Sequence, residues 1–427
     1  MKTINHHLKW YLIIIPDFRG IGGAQLYALR RIKHLESIGF RTVLIIGIDD
    51  YKVTINENTS LVYRDPRIAN FSFDYSKAIQ NDAVNKIEKF LDSKGETIIE
   101  STDPLSATWG ELYAKRMKCK HVLYSLIEPP LYKGIQNRLL FTLIQFKQKQ
   151  GNLIGLSSKS LYKMFGYEIE KNLNKYVNIS YNSNELISSD AQVMNFQLDE
   201  SCFVIGTISR LEKAYVQVLI EEVINLAKNM PLRKFCLLII GDSIDTSIKN
   251  KLESLFVANS TSLDNLQVKY LGYMHPIYAS FFKKLDVFVG MGTAAVSSIS
   301  QKCATIVVDP YLNLSSGVLG LDTENFAYSE NGKQYKISQS LKYLLENPEV
   351  LRKAQETGFK LYQEAFTTNV CMTKLDKFID GGKSDSYWNY SRLSWIYFIR
   401  IIYLNRKKAF FKEINKVRHL LGRNKLN

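Results

Sequence analysis

The chain alternates between short apolar runs and longer segments with helical spacing. Tyr11–Ile15 is an apolar run closed by Pro16 and Asp17. After Arg19-Gly20-Ile21-Gly22-Gly23, the residues Leu26, Leu29, Ile32 and Leu35 recur near helical spacing. That predicts a helix over Ala24–Ile38 with Gly39 at its C-terminal cap. Arg41–Ile48 is a second apolar run. Strand, glycine-rich turn, helix and strand make a βαβ unit, whose default is a right-handed parallel pair. The alternation recurs with a strand at Thr97–Glu100, a helix at Leu105–Met117 and strands at His121–Ile127 and Leu153–Leu156.

Between Lys171 and Asn184 the chain turns polar and Asn-rich, which marks a domain boundary. A second series then begins. Strands are expected at Phe203–Ile208, Phe235–Ile240, Val268–Leu271, Val287–Val289 and Thr305–Val308. Helices are expected over Val216–Asn229, Gly332–Leu345 and Pro348–Ala365. Short apolar runs without alternation fit strands buried on both faces of a parallel sheet. Two doubly wound α/β halves follow from this, at residues 1–184 and 185–380. Ligands in such sheets bind beyond the carboxyl ends of the strands. Residues 381–427 depart from the pattern and read as a basic, amphipathic helical tail.

The length of 427 residues agrees with two or three domains. With 46% hydrophobic and 23% charged residues, a sizeable core is available. The formal charge of +15 favours anionic partners, although basicity alone names none. From Lys383 onward there are eleven Lys/Arg and two acids, so the tail carries 11 − 2 = +9 of that charge. This concentration, with no nucleic-acid-binding motif, argues against a nucleic-acid binder. The five cysteines are odd in number and include no C-x-x-C pair, which argues against a disulfide framework or a zinc site and fits a reducing cytosol. The N-terminal apolar run lacks a small-residue cleavage site and reads as a strand. No uninterrupted run of 18 apolar residues predicts a spanning helix.

Three loops could carry chemistry. Gly22 and Gly23 open the first helix, where a ligand can approach the backbone and amides favour an anion. They depart from the G-x-G-x-x-G dinucleotide pattern. Arg210 and Lys213 follow the first strand of the second half, where two cations can hold a diphosphate and offset the charge it gains on leaving. Gly290, Gly292 and Thr293 follow the strand after Asp286 and open a helix. The plain readings are a tight strand-to-helix connection for the first loop, an exposed Arg and Lys for the second, and close helix–sheet packing for the third. The strand-end carboxylates Asp17, Glu100, Asp103, Glu128, Asp242 and Asp309 belong to no compelling motif and read as caps or solvated charges. No H-x-x-x-H pair or positioned D-x-D motif predicts a metal.

These segments together resemble family 4 glycosyltransferases of the GT-B fold. Gly22-Gly23-Ala24-Gln25 is similar to the family's GGA-(E/Q) signature. Phe203–Lys213 (FVIGTISRLEK), LLIIGD ending at Asp242, and LDVFVGMGTAAV at Leu285–Val296 resemble its later segments. The resemblance spans roughly residues 11–375. It implies two Rossmann-like domains facing across a cleft, with a nucleotide-sugar as donor substrate and no cofactor. It places Arg210 and Lys213 on the donor diphosphate. It also implies retention of configuration, with the donor phosphate helping the acceptor lose its proton and no covalent protein nucleophile.

One departure stands out. The family's E-x7-E glutamates, the second of which contacts the nucleotide ribose, are absent, and Ser297 occupies the second place. The loss of charge assistance is on the order of 1–2 kcal/mol. The family's N-domain histidine is not apparent; Ser125 and Glu128 occupy the corresponding strand end, and Glu128 could serve the acceptor side.

The expected function is glycosyl transfer from a nucleotide-sugar to a glycan or lipid-linked glycan in surface polysaccharide synthesis. The alternative is a catalytically silent GT-B partner of an active transferase; a GT-B-type epimerase ranks below both. Leu393–Leu404 is apolar and aromatic with basic flanks, and is shorter than a membrane span. Trp388 and Trp395, with flanking Arg and Lys, suit a headgroup interface, so the protein is expected in the cytoplasm, attached through 386–427 to the anionic inner face of the membrane. Packing of this tail on the N-terminal domain is the competing reading.

Overall fold

A computed structural model describes residues 9–19, 22–49, 61–91, 96–126, 135–157, 160, 175–186, 199, 201–243, 245–260, 263–328, 332–384 and 386–388. The chain forms two compact units. Unit 1 is Met1–Tyr176 with Asp376–Asn427, and unit 2 is Val177–Leu375.

Unit 1 holds the strands β1 (Lys9–Phe18), β2 (Phe40–Asp49), β3 (Leu61–Arg64), β4 (Thr97–Ser101), β5 (Lys120–Ser125) and β6 (Leu153–Gly155). Their order is β3-β2-β1-β4-β5-β6, and every neighbouring pair is parallel. Leu12, Ile13, Ile14 and Ile15 are all buried, as are Val43, Leu44, Ile45 and Ile46 beside them. Consecutive burial needs cover on both faces of the sheet, which is why these runs lack alternation. Each such side chain contributes about 1.5–3 kcal/mol on burial.

Unit 2 holds β7 (Phe203–Ile208), β8 (Phe235–Ile240), β9 (Leu266–Gly272), β10 (Val287–Gly290), β11 (Ala304–Val308) and β12 (Ser315–Val318). The order is β12-β11-β10-β7-β8-β9. All pairs are parallel except β11 with β12. The first strand of each unit therefore lies in the middle of its sheet, and the winding direction reverses between β1 and β4 and between β7 and β10. That reversal opens a crevice at the carboxyl ends of the two strands.

Several elements are absent from the sequence reading. Ile135–Lys149 is a helix within a stretch that the pattern leaves unplaced, and Lys77–Phe90, Thr246–Ser260 and Thr368–Asp380 are further helices. The helix expected from Gly332 starts at Ile337. Tyr335 pairs with Ser315 through two backbone hydrogen bonds of 2.8 and 3.0 Å, which removes the first turn.

The chain returns to unit 1 within the helix Thr368–Asp380 and is stapled there. The Lys120 ammonium donates to the Ile379 carbonyl, Asn152 Nδ2 to Lys383 O at 2.6 Å and Gln150 Nε2 to Ser386 O at 2.7 Å. Trp388, expected at a headgroup interface, is instead buried among Leu123, Leu140, Leu143 and Leu153, because the returning chain packs its ring on the apolar side chains of unit 1. The remaining tail lies outside the described residues. Among the described residues no helix is long and apolar enough to cross a membrane.

Candidate functional site

In unit 2 the two candidate loops stand at adjacent strand ends. Ser209–Lys213 leaves β7 and Met291–Thr293 leaves β10, and these strands pair in parallel, with Phe288 opposite Gly206. Arg210, Lys213, Gly290, Gly292 and Thr293 thus flank one crevice, at the reversal point of the sheet. Arg210 is exposed and Lys213 half-buried. Burial, and then the Arg210 charge, bring the Lys213 ammonium down to about 8.

Two helices begin at the same place. Ala214–Asn229 follows Lys213, and Gly292–Ser300 follows Met291; neither has a side-chain cap. Uncapped helix N-termini present backbone amides and a partial positive charge. Gly292 has φ of +64°, which a side chain would strain, and its N–H donates to Phe326 O at 2.9 Å. The arrangement can hold an anion of more than one charge.

Ser297 is buried, and its hydroxyl donates to the Tyr181 oxygen at 2.7 Å. That bond spends its proton inside unit 2.

Gly22 and Gly23 lie in unit 1. Gly22 precedes the helix Gly23–Ser37 with an extended backbone, and its N–H donates to Gln25 Oε1 at 3.1 Å. Gln25 Nε2 in turn donates to Asp17 O at 2.8 Å, closing the turn after β1. Glu128 lies outside the described residues.

The other carboxylates are engaged. Asp17 pairs with Arg19 at 2.6 Å. Asp103 caps the helix Pro104–Met117 through Ser106 N at 2.7 Å. Asp309 accepts from the Tyr311 N–H at 2.9 Å. Glu100 is neither a cap nor solvated. It is fully buried and accepts from Tyr11 at 2.5 Å, from the Tyr27 hydroxyl and from Arg31 Nε at 3.3 Å. Arg31 reaches on to Asp376 at 2.6 Å, so the returning helix is tied to the sheet through one buried guanidinium. Burial, with Glu100 adding to it, keeps the Tyr27 phenol well above its usual range.

Sequence reading missed a second buried cluster. His121 Nδ1 lies 2.8 Å from Glu111 Oε1, and Ser101 Oγ lies 3.0 Å from His121 Nε2. A carboxylate only accepts, so Nδ1 carries the proton and Nε2 accepts from Ser101. The geometry is that of a Ser-His-acid triad. Ser101 is fully buried, however, and Lys147 also pairs with Glu111. The cluster is structural: Glu111 Oε2 accepts the Trp388 N–H at 2.9 Å and anchors the returning chain. Burial, and then the Lys147 charge, lower His121 to about 4. Burial opposes the charge on Glu111, but His121 and Lys147 prevail and hold it at about 2.

No known protein-family profile matches the chain. No curated protein matches it by sequence. Solved structures do match. The Anabaena protein HepE, in complex with UDP and glucose, has 14% identity and a TM-score of 0.64, covering 88% of this chain and 100% of that one. A glycosyltransferase from Rickettsia africae has 13% identity and a TM-score of 0.65, covering 88% and 99%. Sucrose-phosphate synthase from Thermosynechococcus elongatus has 12% identity and a TM-score of 0.61, covering 87% and 98%. At such identities the likeness is one of fold, and it extends over both units. The chain thus has the GT-B fold of these structures, with two Rossmann-like domains built on six-stranded sheets that are parallel but for the β11–β12 pair.

Proposed function

We propose that the protein is a glycosyltransferase that takes a sugar from a nucleotide-sugar donor. One observation carries the reading: two cations and two uncapped helix N-termini converge on the reversal point of the unit 2 sheet. A nucleoside diphosphate is the ligand whose charge and size suit that place. The similar fold of HepE, solved in complex with UDP-glucose, supports the choice of ligand class.

In the proposed reaction Arg210 and Lys213 bind the diphosphate and offset the charge that grows on it as the glycosidic bond breaks. The amide of Thr293, in the first turn of the helix after β10, shares that charge. No metal or protein nucleophile takes part, and the donor phosphate assists the acceptor hydroxyl in losing its proton, with retention of configuration. Unit 1 recognises the acceptor, a glycan or lipid-linked glycan of a surface polysaccharide, with Glu128 on that side, while Gly22 and Gly23 belong to the donor-binding set. Family 4 of the glycosyltransferases is the proposed kin. The protein works in the cytoplasm, with the tail beyond Trp388 bound to the anionic inner face of the membrane.

The test is thermal shift across a panel of nucleotide-sugars, with wild type and Arg210→Ala compared. A ligand at 100 times its Kd stabilises the fold by about 2.7 kcal/mol. A shift that Arg210→Ala abolishes is the expected result. A folded wild type that no donor stabilises would shift the assignment to a silent partner of an active transferase. The buried Ser297–Tyr181 bond, in place of a glutamate, is what favours that second reading.

A further inference from the structure

Among the described strand-end carboxylates, Asp242 is the one that is exposed and in no ion pair. It stands at the carboxyl end of β8, next to β7 on the side away from β10. The Leu211 N–H donates to the Asp242 carbonyl at 3.2 Å, and the Ser209 N–H to that of Ile240 at 3.0 Å. This strand end is therefore bonded to the loop that carries Arg210 and Lys213. Gly241 permits the approach, since a Cβ there would collide with the Ser209 carbonyl oxygen. Asp242 itself is exposed. Its Oδ1 accepts from the Ser243 N–H at 2.8 Å, while the nearby Tyr270 hydroxyl donates to the Gly241 carbonyl at 2.7 Å. Among the described residues Oδ2 has no hydrogen bond.

A carboxylate accepts hydrogen bonds and repels phosphate. Placed beside two cations, it suits the part of a nucleotide that carries donors and no charge, which is the sugar diol of the nucleoside. In a doubly wound sheet whose first strand end holds the phosphates, the acid at the end of the second strand is the side chain within reach of that ribose. β7 and β8 are those two strands here.

We infer that Asp242 accepts hydrogen bonds from the ribose hydroxyls of the bound nucleotide and so selects ribonucleotides over 2′-deoxynucleotides. The inference rests on the nucleotide-sugar reading of the same crevice. It supplies, from the β8 side, the charge-assisted hydroxyl contact that Ser297 does not provide.

Calorimetric titration of the full chain with ADP, GDP and UDP, each beside its 2′-deoxy counterpart, tests it. The expected result is about tenfold or greater preference of the wild type for the ribo form of the nucleotide it binds. Asp242→Asn and Asp242→Ala bring the ratio close to one while the deoxy form keeps its affinity. The Asn variant retains an acceptor for the Ser243 N–H, so it guards against mere loss of the turn. A wild type that binds both forms equally, or variants that keep its preference, overturn the inference and leave nucleotide binding standing. A wild type that binds none of the six removes the nucleotide reading and this inference with it.

Discussion

Lys213 carries an ammonium that burial and the nearby Arg210 bring down to about 8. An amine with that value is mostly charged at neutral pH and loses its proton just above it. Donor affinity is therefore expected to hold between pH 6 and 7 and to weaken as pH rises through about 8, the value in the free protein. Lys213→Arg, with a charge that persists, should flatten the profile up to pH 9. Dissociation constants measured against pH check this, and a wild-type profile flat to pH 9.5 would count against Lys213 as a diphosphate ligand. Single residues were the hardest scale to read in the chain. The RLEK segment announced cations, but nothing in it told that Lys213 is half-buried. Glu100 looked like a loop charge and is fully buried against Tyr11, Tyr27 and Arg31. A side chain's surroundings come from elements remote in sequence, and no local pattern encodes them.

Elements are joined by charge as well as by apolar packing. The Glu111–His121–Lys147 cluster links the helix Pro104–Met117, strand β5 and the helix Ile135–Lys149. His121 is lowered to about 4 from an ordinary 6.5, so the folded state binds fewer protons than the unfolded chain between those values. Stability is then greatest above pH 6.5 and falls as pH drops toward 4, by up to about 3 kcal/mol from this group. Glu111, lowered from 4.5 to about 2, extends the loss from pH 4.5 downward. His121→Gln should be less stable than wild type at pH 7.5, yet change less between pH 6.5 and 4. Melting curves across pH measure both, and parallel pH profiles for the two proteins would refute the assignment. At this scale the strands were legible because their apolar runs are continuous. The helix start near Gly332 was not, since Tyr335 pairs with Ser315 across twenty residues of chain.

For the whole molecule, the tail separates the two functional settings. Residues 381–388 are tied to unit 1 as far as Trp388, so a chain ending there keeps the staple and loses the basic aromatic segment. Basic residues near an anionic leaflet contribute about 1 kcal/mol each. Flotation with phosphatidylserine-containing vesicles should recover the full chain and leave residues 1–388 at the bottom, with high salt releasing the former. Equal recovery of the two forms would dismiss membrane attachment through this segment.

The sequence by itself determined the class of the fold and the positions of its loops. Continuous apolar runs, spaced by helical patterns, leave a parallel α/β architecture as the economical way to bury both faces of each strand. The glycines and cations follow those runs directly, so they had to fall at strand ends. Tertiary structure alone decided which strand ends are neighbours. β7 and β10 are separated by β8 and β9 in the chain, and only the order β10-β7-β8 sets the Arg210 loop between Gly292 and Asp242. It also decided that the chain returns to its first unit at Asp376, where a buried guanidinium and a buried carboxylate receive it. Both outcomes depend on pairings between residues far apart in sequence, which hydrogen-bond geometry and burial select and local pattern cannot.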